Sequence, residues 1–317
     1  MRKETFLSTV QVRKAGSYDL RGYAILRKRM NMIRIIVDST CDMLQKYAET
    51  HHILVLPLHV LVEGKEYLDG VEISVDEIYA FMRRGVMPRT SQIGIEETYQ
   101  VLDQQLAEGN DLFYLAFSSK MSGTYALVNQ IMAELKSKYP ENKMIALDGK
   151  GGSFATGLIA MHATEMAENG ASIEKITEEC KFLIQHVEHV FVISDLKWMV
   201  RGGRISRTMG YTADFLDIKP VLDVKDGEME VIRKVHGTKN SLRCVADLVV
   251  QRAGENKKQL IGITHADDFQ KAEQMRALLQ ERLPECSFVI TEIGAVLGVH
   301  IGIGGVGVFF FNPLTNA

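Results

Sequence analysis

The chain has few cysteines and no excess of charge of either sign. Its 317 residues include four cysteines and one tryptophan, and 37 basic against 40 acidic side chains give a formal net charge of −3. This balance argues against a dedicated nucleic-acid binder and against a polybasic membrane-surface protein. The cysteines form no Cys-x-x-Cys pair and no signal-peptide pattern opens the chain, which predicts reduced thiols in a cytoplasmic protein.

The chain also lacks the common motifs of nucleotide binding and ester hydrolysis. It has no Gly-x-x-x-x-Gly-Lys-Ser/Thr phosphate loop and no Gly-x-Ser-x-Gly nucleophile elbow. His186-Val187-Glu188-His189 offers metal-ligand side chains, but a zinc protease helix requires His-Glu-x-x-His. We interpret this segment as a solvated helix end, and we expect no metal site and no cofactor.

One uncharged segment resembles a membrane span in length. Residues 293–311 contain no Asp, Glu, Lys or Arg, and a transmembrane helix needs about 20 apolar residues. The segment contains six glycines, however, and each costs a helix about 1 kcal/mol relative to alanine. We therefore predict buried strands joined by a glycine turn, and no transmembrane segment.

The sequence pattern changes at Met32. Residues 1–31 form a basic N-terminal extension, either disordered or preceding the true start, to which we assign no function. From Met32 onward, short β-rich runs alternate with amphipathic stretches, which predicts an α/β fold. We expect an N-terminal domain at residues 32–187, with a mainly parallel sheet flanked by helices, and a C-terminal mixed α/β domain at residues 188–317.

The predicted elements of both domains follow from hydrophobic periodicity and turn residues. Strands are expected at 33–37, 53–62, 112–117, 144–147, 190–194, 220–224, 230–234, 260–265, 287–292 and 306–311. Helices are expected at 75–84, 96–106, 124–138, 153–168, 241–252 and 268–282. Asp226-Gly227 predicts a hairpin turn between two of the strands.

Polar loops follow two predicted strands of the N-terminal domain. Ser118-Ser119-Lys120-Met121-Ser122-Gly123-Thr124 leads from an apolar strand into a helix, where hydroxyls and backbone amides meet the positive end of the helix dipole. We interpret it as a cradle for a carboxylate or phosphate, in preference to a site with a nucleophilic serine. The loop 148–153 follows the next strand and widens the same rim.

Two further polar segments have ordinary structural interpretations. Asp38-Ser39-Thr40-Cys41-Asp42 follows the first strand, and its side chains are typical helix caps, although a phosphate-handling aspartate is the alternative. Arg89-Thr90-Ser91-Gln92 precedes two glutamates and resembles the capping box of a helix start. Taken alone, neither segment indicates a function.

Two cationic or titratable features also allow two interpretations. The turn from Arg201 to Arg207, with Gly202-Gly203 inside it, is either a basic helix end or a phosphate clamp. His300 is the only polar side chain of the glycine-rich apolar run. It is either a core histidine bonded to a carbonyl or a side chain that points into an apolar ligand cavity.

In order along the chain, these segments resemble the DegV family of bacterial fatty-acid-binding proteins. The resemblance covers residues 32–311. It is carried by Val37-Asp38-Ser39, Arg89-Thr90-Ser91-Gln92, Ser118-Ser119 through Ser122-Gly123-Thr124-Tyr125, Gly202-Gly203-Arg204-Ile205-Ser206, Lys219-Pro220 and Gly298-Val299-His300-Ile301-Gly302. Each motif is weak by itself, but the ordered set is specific.

The resemblance implies a fatty acid, such as palmitate, in a tunnel between the two domains. The family's carboxylate-binding residues fall on Thr90, Ser122 and His300, and no catalytic residue is implied. The supporting loop positions are Ser91, Gln92, Gly123, Thr124, Asp38 and Ser39. The positions expected to contact phosphate or a partner are Arg204, Arg233 and Arg201.

The resemblance further implies that the protein is a lipid-binding subunit and not itself an enzyme. A separate ATP-binding fatty acid kinase subunit would phosphorylate the bound carboxylate. One alternative is a serine-dependent hydrolase or transferase of acyl substrates, with Ser122 as nucleophile, His300 as base and Asp38 as orienting group. The other alternative is a small-metabolite-binding module.

Overall fold

The structure covers most of the chain, and the first part of it forms a parallel sheet of short hydrophobic strands. The computed structural model describes residues 32–205 and 217–313, which belong to one compact unit. The predicted extension at residues 1–31 lies outside the described residues, and so do Ser206 and Arg207 of the arginine-rich turn.

The helices and strands of the described ranges alternate along the chain. The strands are β1 (Ile33–Asp38), β2 (Leu54–Leu56), β3 (His59–Val62), β4 (Lys65–Leu68), β5 (Arg89–Ser91), β6 (Asp111–Ala116), β7 (Met144–Asp148), β8 (Val187–Val192), β9 (Ile218–Lys225), β10 (Glu228–His236), β11 (Leu260–His265), β12 (Ser287–Glu292) and β13 (Val306–Phe311). The helices are α1 (Gln45–Thr50), α2 (Val75–Arg83), α3 (Ile95–Ala107), α4 (Thr124–Lys138), α5 (Phe154–Glu168), α6 (Ile173–His186), α7 (Lys197–Gly202), α8 (Thr238–Ala253), α9 (Phe269–Arg282) and α10 (Ala295–Ile301).

The parallel sheet has the strand order β2-β1-β6-β7. Every residue of β6 is buried, as expected for a strand covered on both faces. Helices α3 and α4 pack on one face through residues such as Leu102 and Val128, and α5 and α6 pack on the other through residues such as Ile159 and Cys180. This confirms the predicted α/β class and the parallel sheet flanked by helices.

A small antiparallel sheet, with the order β4-β3-β5, was not predicted. The expected strand at 53–62 is two strands, because Pro57 lacks the N–H that a continuous ladder needs. The helix entry predicted at residues 89–92 is also wrong. Residues Arg89–Ser91 form β5, in which Thr90 pairs with Val60 of β3.

The second large sheet is mixed and has the order β10-β9-β8-β13-β11-β12. The predicted hairpin is confirmed, since β9 and β10 pair antiparallel around Asp226 and Gly227. Both turn residues have positive φ, at 49° and 90°, as a type I′ turn requires. This sheet is built from residues 187–311 and the parallel sheet from residues 33–148, while the domain boundary near residue 187 stays a prediction.

The uncharged run at 293–311 contains a helix where a strand was predicted. Its first half is α10, and Gly302 and Gly304, with φ of 78° and 82°, turn the chain into β13. The Asp69 carboxylate accepts the backbone N–H groups of Ala295 and Val296, which satisfies the start of the helix. Among the described residues, no helix is long and apolar enough to cross a membrane.

The segment from His186 to His189 was predicted to be a solvated helix end. The helix does end at His186, but the prediction is wrong for the rest of the segment, which is a strand. His186 ends α6, but the chain passes directly into β8 at Val187. His189 lies inside that strand and is only 4% exposed.

Candidate ligand site

A cavity of about 310 Å³ is lined by the strand-to-helix loops of the parallel sheet, by one face of the mixed sheet and by α10. Most of its wall is apolar and includes Phe117, Met121, Phe191, Met229, Leu297 and Phe309. Arg204 is the only lining side chain in the described chain that carries a permanent charge. An apolar cavity with few polar groups is the usual form of a small-molecule site.

His300 and Thr90 meet at one end of this cavity. The last turn of α10 places the His300 Nε2 atom 2.8 Å from the Thr90 Oγ1 atom on β5. The His300 ring is 7% exposed, and burial, followed by the charge of Arg204, lowers its pKa to about 4. The imidazole is therefore neutral at physiological pH.

A neutral imidazole bonded to a hydroxyl has one donor to spare. When His300 Nε2 accepts from Thr90, the Nδ1 atom carries the proton; when Nε2 donates, the Thr90 hydroxyl proton is free. The buried His300 Nδ1 atom has no hydrogen-bond partner in the described part of the protein. Either tautomer can therefore offer a hydrogen bond to an anion.

The predicted cradle lies beside this pair. Ser122 and Gly123 line the cavity just before α4, and the Ser122 Oγ atom accepts the N–H of Thr124 at 3.2 Å. Thr124 itself is fully buried, and its hydroxyl is 2.9 Å from that of Ser122. A Cβ at position 123 would be 2.5 Å from Gln92 Oε1, so glycine allows the loop after β5 to approach the cradle.

Arg204 lies at the same end of the cavity. It follows Gly203, whose left-handed backbone ends α7, and its guanidinium donates to the carbonyls of Gly202 at 2.6 Å and Met121 at 3.3 Å. Burial lowers its pKa, and it has no carboxylate partner among the described side chains. Its positive charge is therefore available to an anion in the cavity.

Five predicted residues do not line the cavity. Thr124 is one of them: it is fully buried, and its hydroxyl interacts with that of Ser122. The Asp38 carboxylate accepts from Thr40 and Tyr114 and from the backbone of Phe117, and the Ser39 hydroxyl accepts the N–H of Leu58 at 3.1 Å. Asp38 therefore holds the loops behind the site.

The other two are arginines. The Arg201 guanidinium contacts the sulfur of Met87, and that of Arg233 donates to the carbonyl of Ile232. Both side chains are exposed. Of the three arginines, only Arg204 lines the cavity, and the expected partner contacts of Arg201 and Arg233 stay predictions.

Sequence reasoning missed two polar side chains of the cavity wall. His189 on β8 and Thr264 on β11 both line it. The β-rich composition around His189 would have indicated a strand, but the His-x-x-His spacing suggested a helix end. Thr264 lies in a correctly predicted strand, but nothing in the sequence distinguishes it from other buried threonines.

Comparison with known proteins decides the family. The model of the DegV family matches residues 32–312. The chain belongs to the DegV family. A DegV domain-containing protein of Clostridium acetobutylicum is 33% identical over 282 residues, which cover 89% of this chain and 99% of the relative.

Solved structures of the DegV family share the fold. A Thermus thermophilus family member described as binding fatty acid is 28% identical and superimposes with a TM-score of 0.80, covering 89% of this chain and 99% of its own. The Streptococcus pneumoniae fatty acid kinase B3 protein, loaded with linoleic acid, superimposes with a TM-score of 0.78 at 17% identity, with coverages of 89% and 99%. At that identity the second match shows the fold alone.

Proposed function

We propose that this protein binds a long-chain fatty acid in the cavity, with the carboxylate held by Thr90, Ser122 and His300. The observation that carries the proposal is the Thr90–His300 pair at one end of a mostly apolar cavity. Fatty-acid binding by the Thermus thermophilus relative supports the same ligand class.

The apolar part of the lining accounts for affinity for the acyl tail, and the polar groups at one end account for the orientation of the carboxylate. Each buried methylene contributes about 0.8 kcal/mol, so the tail supplies most of the affinity. The Thr90–His300 pair offers one donor and the Ser122 hydroxyl a second to the carboxylate, and Arg204 supplies the opposite charge nearby. The acid is thus oriented mainly by neutral donors.

We also propose that the bound acid is presented to a separate ATP-binding fatty acid kinase subunit. Ser91, Gln92 and Gly123 line the cavity at its carboxylate end and are exposed, so this end opens to the surface. A carboxylate held only by hydrogen bonds there keeps an oxygen able to attack a phosphoryl donor. Addition of such a kinase subunit and ATP should convert the bound acid to an acyl phosphate, which hydroxylamine would trap.

The contacts favour binding over the serine hydrolase alternative. A nucleophilic serine needs its base within hydrogen-bond reach. His300 Nε2 contacts Thr90 instead, and the Ser122 hydroxyl interacts with Thr124. Asp38 contacts neither of them.

Lipid extraction of gently purified protein, followed by mass spectrometry, tests the proposed function. We expect a co-purified long-chain acid and, after delipidation, rebinding of one equivalent of palmitate. Protein that stays without ligand after delipidation and reloading would contradict the proposal, and preferential binding of a small polar metabolite would favour the alternative module.

Removing single hydroxyls should weaken palmitate binding without unfolding the protein. We expect Thr90→Val and Ser122→Ala each to raise the Kd by roughly 5- to 150-fold, equivalent to about 1–3 kcal/mol for a lost buried hydrogen-bond partner. Ser119→Ala is the matched control, since this hydroxyl in the same loop contacts Asp148 outside the cavity. An unchanged Kd in both cavity variants, measured by isothermal titration, would remove these residues from the site.

A further inference from the structure

The cavity wall also contains two polar side chains of the mixed sheet, His189 and Thr264. His189 is 4% exposed and Thr264 is fully buried. Both ring nitrogens of His189 and the hydroxyl of Thr264 have no hydrogen-bond partner among the described residues. Buried polar groups are nearly always paired, so unpartnered atoms of residues that also line a cavity are candidate contacts for a ligand group.

The strand register places both side chains on the cavity face of the mixed sheet. β13 lies between β8 and β11, with Phe309 opposite His189 and Gly307 opposite Thr264. The rings of His189 and Phe309 pack edge to face at 5.8 Å. A Cβ at position 307 would lie 3.0 Å from Thr264 Oγ1, so the Thr264 hydroxyl packs against the glycine, and both residues line the cavity.

Neighbouring hydroxyls of the same wall already have partners. Ser153 donates to the Asp42 carboxylate, and Thr40 donates to Asp38. His189 and Thr264 therefore differ from the other polar residues of this region by lacking partners within the protein. Gly151, in the loop 148–153, lies against the His189 ring. A Cβ at position 151 would be 2.1 Å from His189 Nε2, so the loop fits beside the ring only with glycine at this position.

We propose that His189 and Thr264 form a second subsite, which binds a hydroxyl group carried on the acyl chain, so that the preferred ligands are hydroxy fatty acids. This inference rests on the proposed fatty-acid site. A hydroxyl both donates and accepts, and so do a neutral imidazole and a threonine hydroxyl. Burial lowers the pKa of His189 to about 4, which keeps the ring neutral.

A second carboxylate is a poorer occupant than a hydroxyl. Within the described chain, the only permanently charged lining side chain is Arg204, which lies beside His300 at the carboxylate end. An anion beside His189 would be desolvated without a cationic partner. The subsite therefore selects a neutral oxygen function.

The same register predicts where on the acyl chain the hydroxyl lies. β13 runs from Val306, which follows the glycine turn after His300, past Gly307 opposite Thr264 to Phe309 opposite His189, rises of about 3 Å and about 10 Å. Residues 91 and 92 at the carboxylate end are exposed, whereas His189 and Thr264 are buried. The preferred hydroxyl therefore lies well along the chain, and an α-hydroxyl gains nothing.

The test compares stearic acid with hydroxystearic acids whose hydroxyl is moved carbon by carbon along the chain. We expect one isomer, or two adjacent ones, to bind about ten-fold tighter than the α-hydroxy isomer, the size of one buried hydrogen bond. Thr264→Val and His189→Phe should reduce this preference, taken as the ratio of the two Kd values within each variant, to less than two-fold. Isothermal titration measures each Kd.

Thr291→Val is the matched control. Thr291 is also buried with an unpartnered hydroxyl and pairs with Thr264 in the sheet, but it does not line the cavity. The positional preference should survive this change. If His189→Phe fails to fold, the comparison of Thr264→Val with Thr291→Val carries the test.

Two outcomes would overturn the subsite. One is that stearic acid binds but no distal hydroxy isomer binds more tightly than the α-hydroxy isomer. The other is that the preference persists in Thr264→Val. The Thr264 hydroxyl would then make no contact with the hydroxyl of the ligand. Failure of every acid, including stearic acid, would instead overturn the proposed function.

Discussion

Replacing Gly202 by alanine should raise the Kd for palmitate by roughly 5- to 150-fold while leaving the protein folded. Gly202 is the last residue of α7, where alanine favours a helix by about 1 kcal/mol over glycine. A Cβ there would lie 2.1 Å from the His300 Nδ1 atom, so the ring must move. The movement takes His300 away from Thr90 and from the carboxylate. Because the Thr90–His300 bond is also present without ligand, the Kd reflects the loss of one buried hydrogen bond to the ligand, about 1–3 kcal/mol.

The mechanism of this effect is separable from general damage. If the added methyl group acts through the imidazole, Gly202→Ala should have little further effect in a His300→Ala background, because the two changes then remove the same interaction. Titration gives the Kd values of the four proteins, and thermal melts report their folding. Equal losses on both backgrounds would show that Gly202 acts on the site by another route.

Hydrophobic periodicity was sufficient for elements whose burial depends on their own sequence. The predicted bounds of α4, β11, β12 and β13 agree with the structure to the residue. α10 was missed because its stability depends on a distant carboxylate: Asp69 satisfies the first N–H groups of a glycine-rich segment that has poor intrinsic helix propensity. No local pattern contains that contact.

The carboxylate site shows a similar limit. Spacing along the chain cannot bring β5 to α10, and Thr90 was linked to His300 only by the family resemblance. Residue type alone also could not show that His189 lines the cavity, because a lone histidine fits a helix end as well as a buried strand. The unpartnered state of His189 becomes visible only when β8 is paired with β13.

Asp42→Asn should stabilise the ligand-free protein by about 3 kcal/mol or more at pH 8.5 and have little effect at pH 4. Asp42 is buried, and that burial raises the pKa of its carboxyl from 3.8 to about 8. Asparagine can keep both contacts, accepting from the Gly294 N–H and donating to the Ser153 hydroxyl. It also tolerates the positive φ of 46° at this position.

The sign follows from proton binding. Between about pH 4 and pH 8 the folded protein holds a proton on Asp42 that the unfolded chain has released, so stability falls as pH rises through this window. Each pH unit between the two pKa values corresponds to about 1.36 kcal/mol, which sets the upper limit near 5 kcal/mol. Burial lowers the pKa values of His189 and His300 to about 4, so their contribution to folding stability falls as the pH drops below 6.5. This loss is the same in wild type and Asp42→Asn and cancels in the comparison.

Urea unfolding of wild type and Asp42→Asn across this pH range measures the difference directly. Asp226→Asn is the matched control, since Asp226 has a similar positive φ of 49° but is exposed in a hairpin turn. The control reports what asparagine contributes at a positive φ, and it should show only a small gain. A gain for Asp42→Asn that is equally large at pH 4 and pH 8.5 would mean that the substitution acts through backbone conformation, and that Asp42 is not protonated in the folded protein at neutral pH.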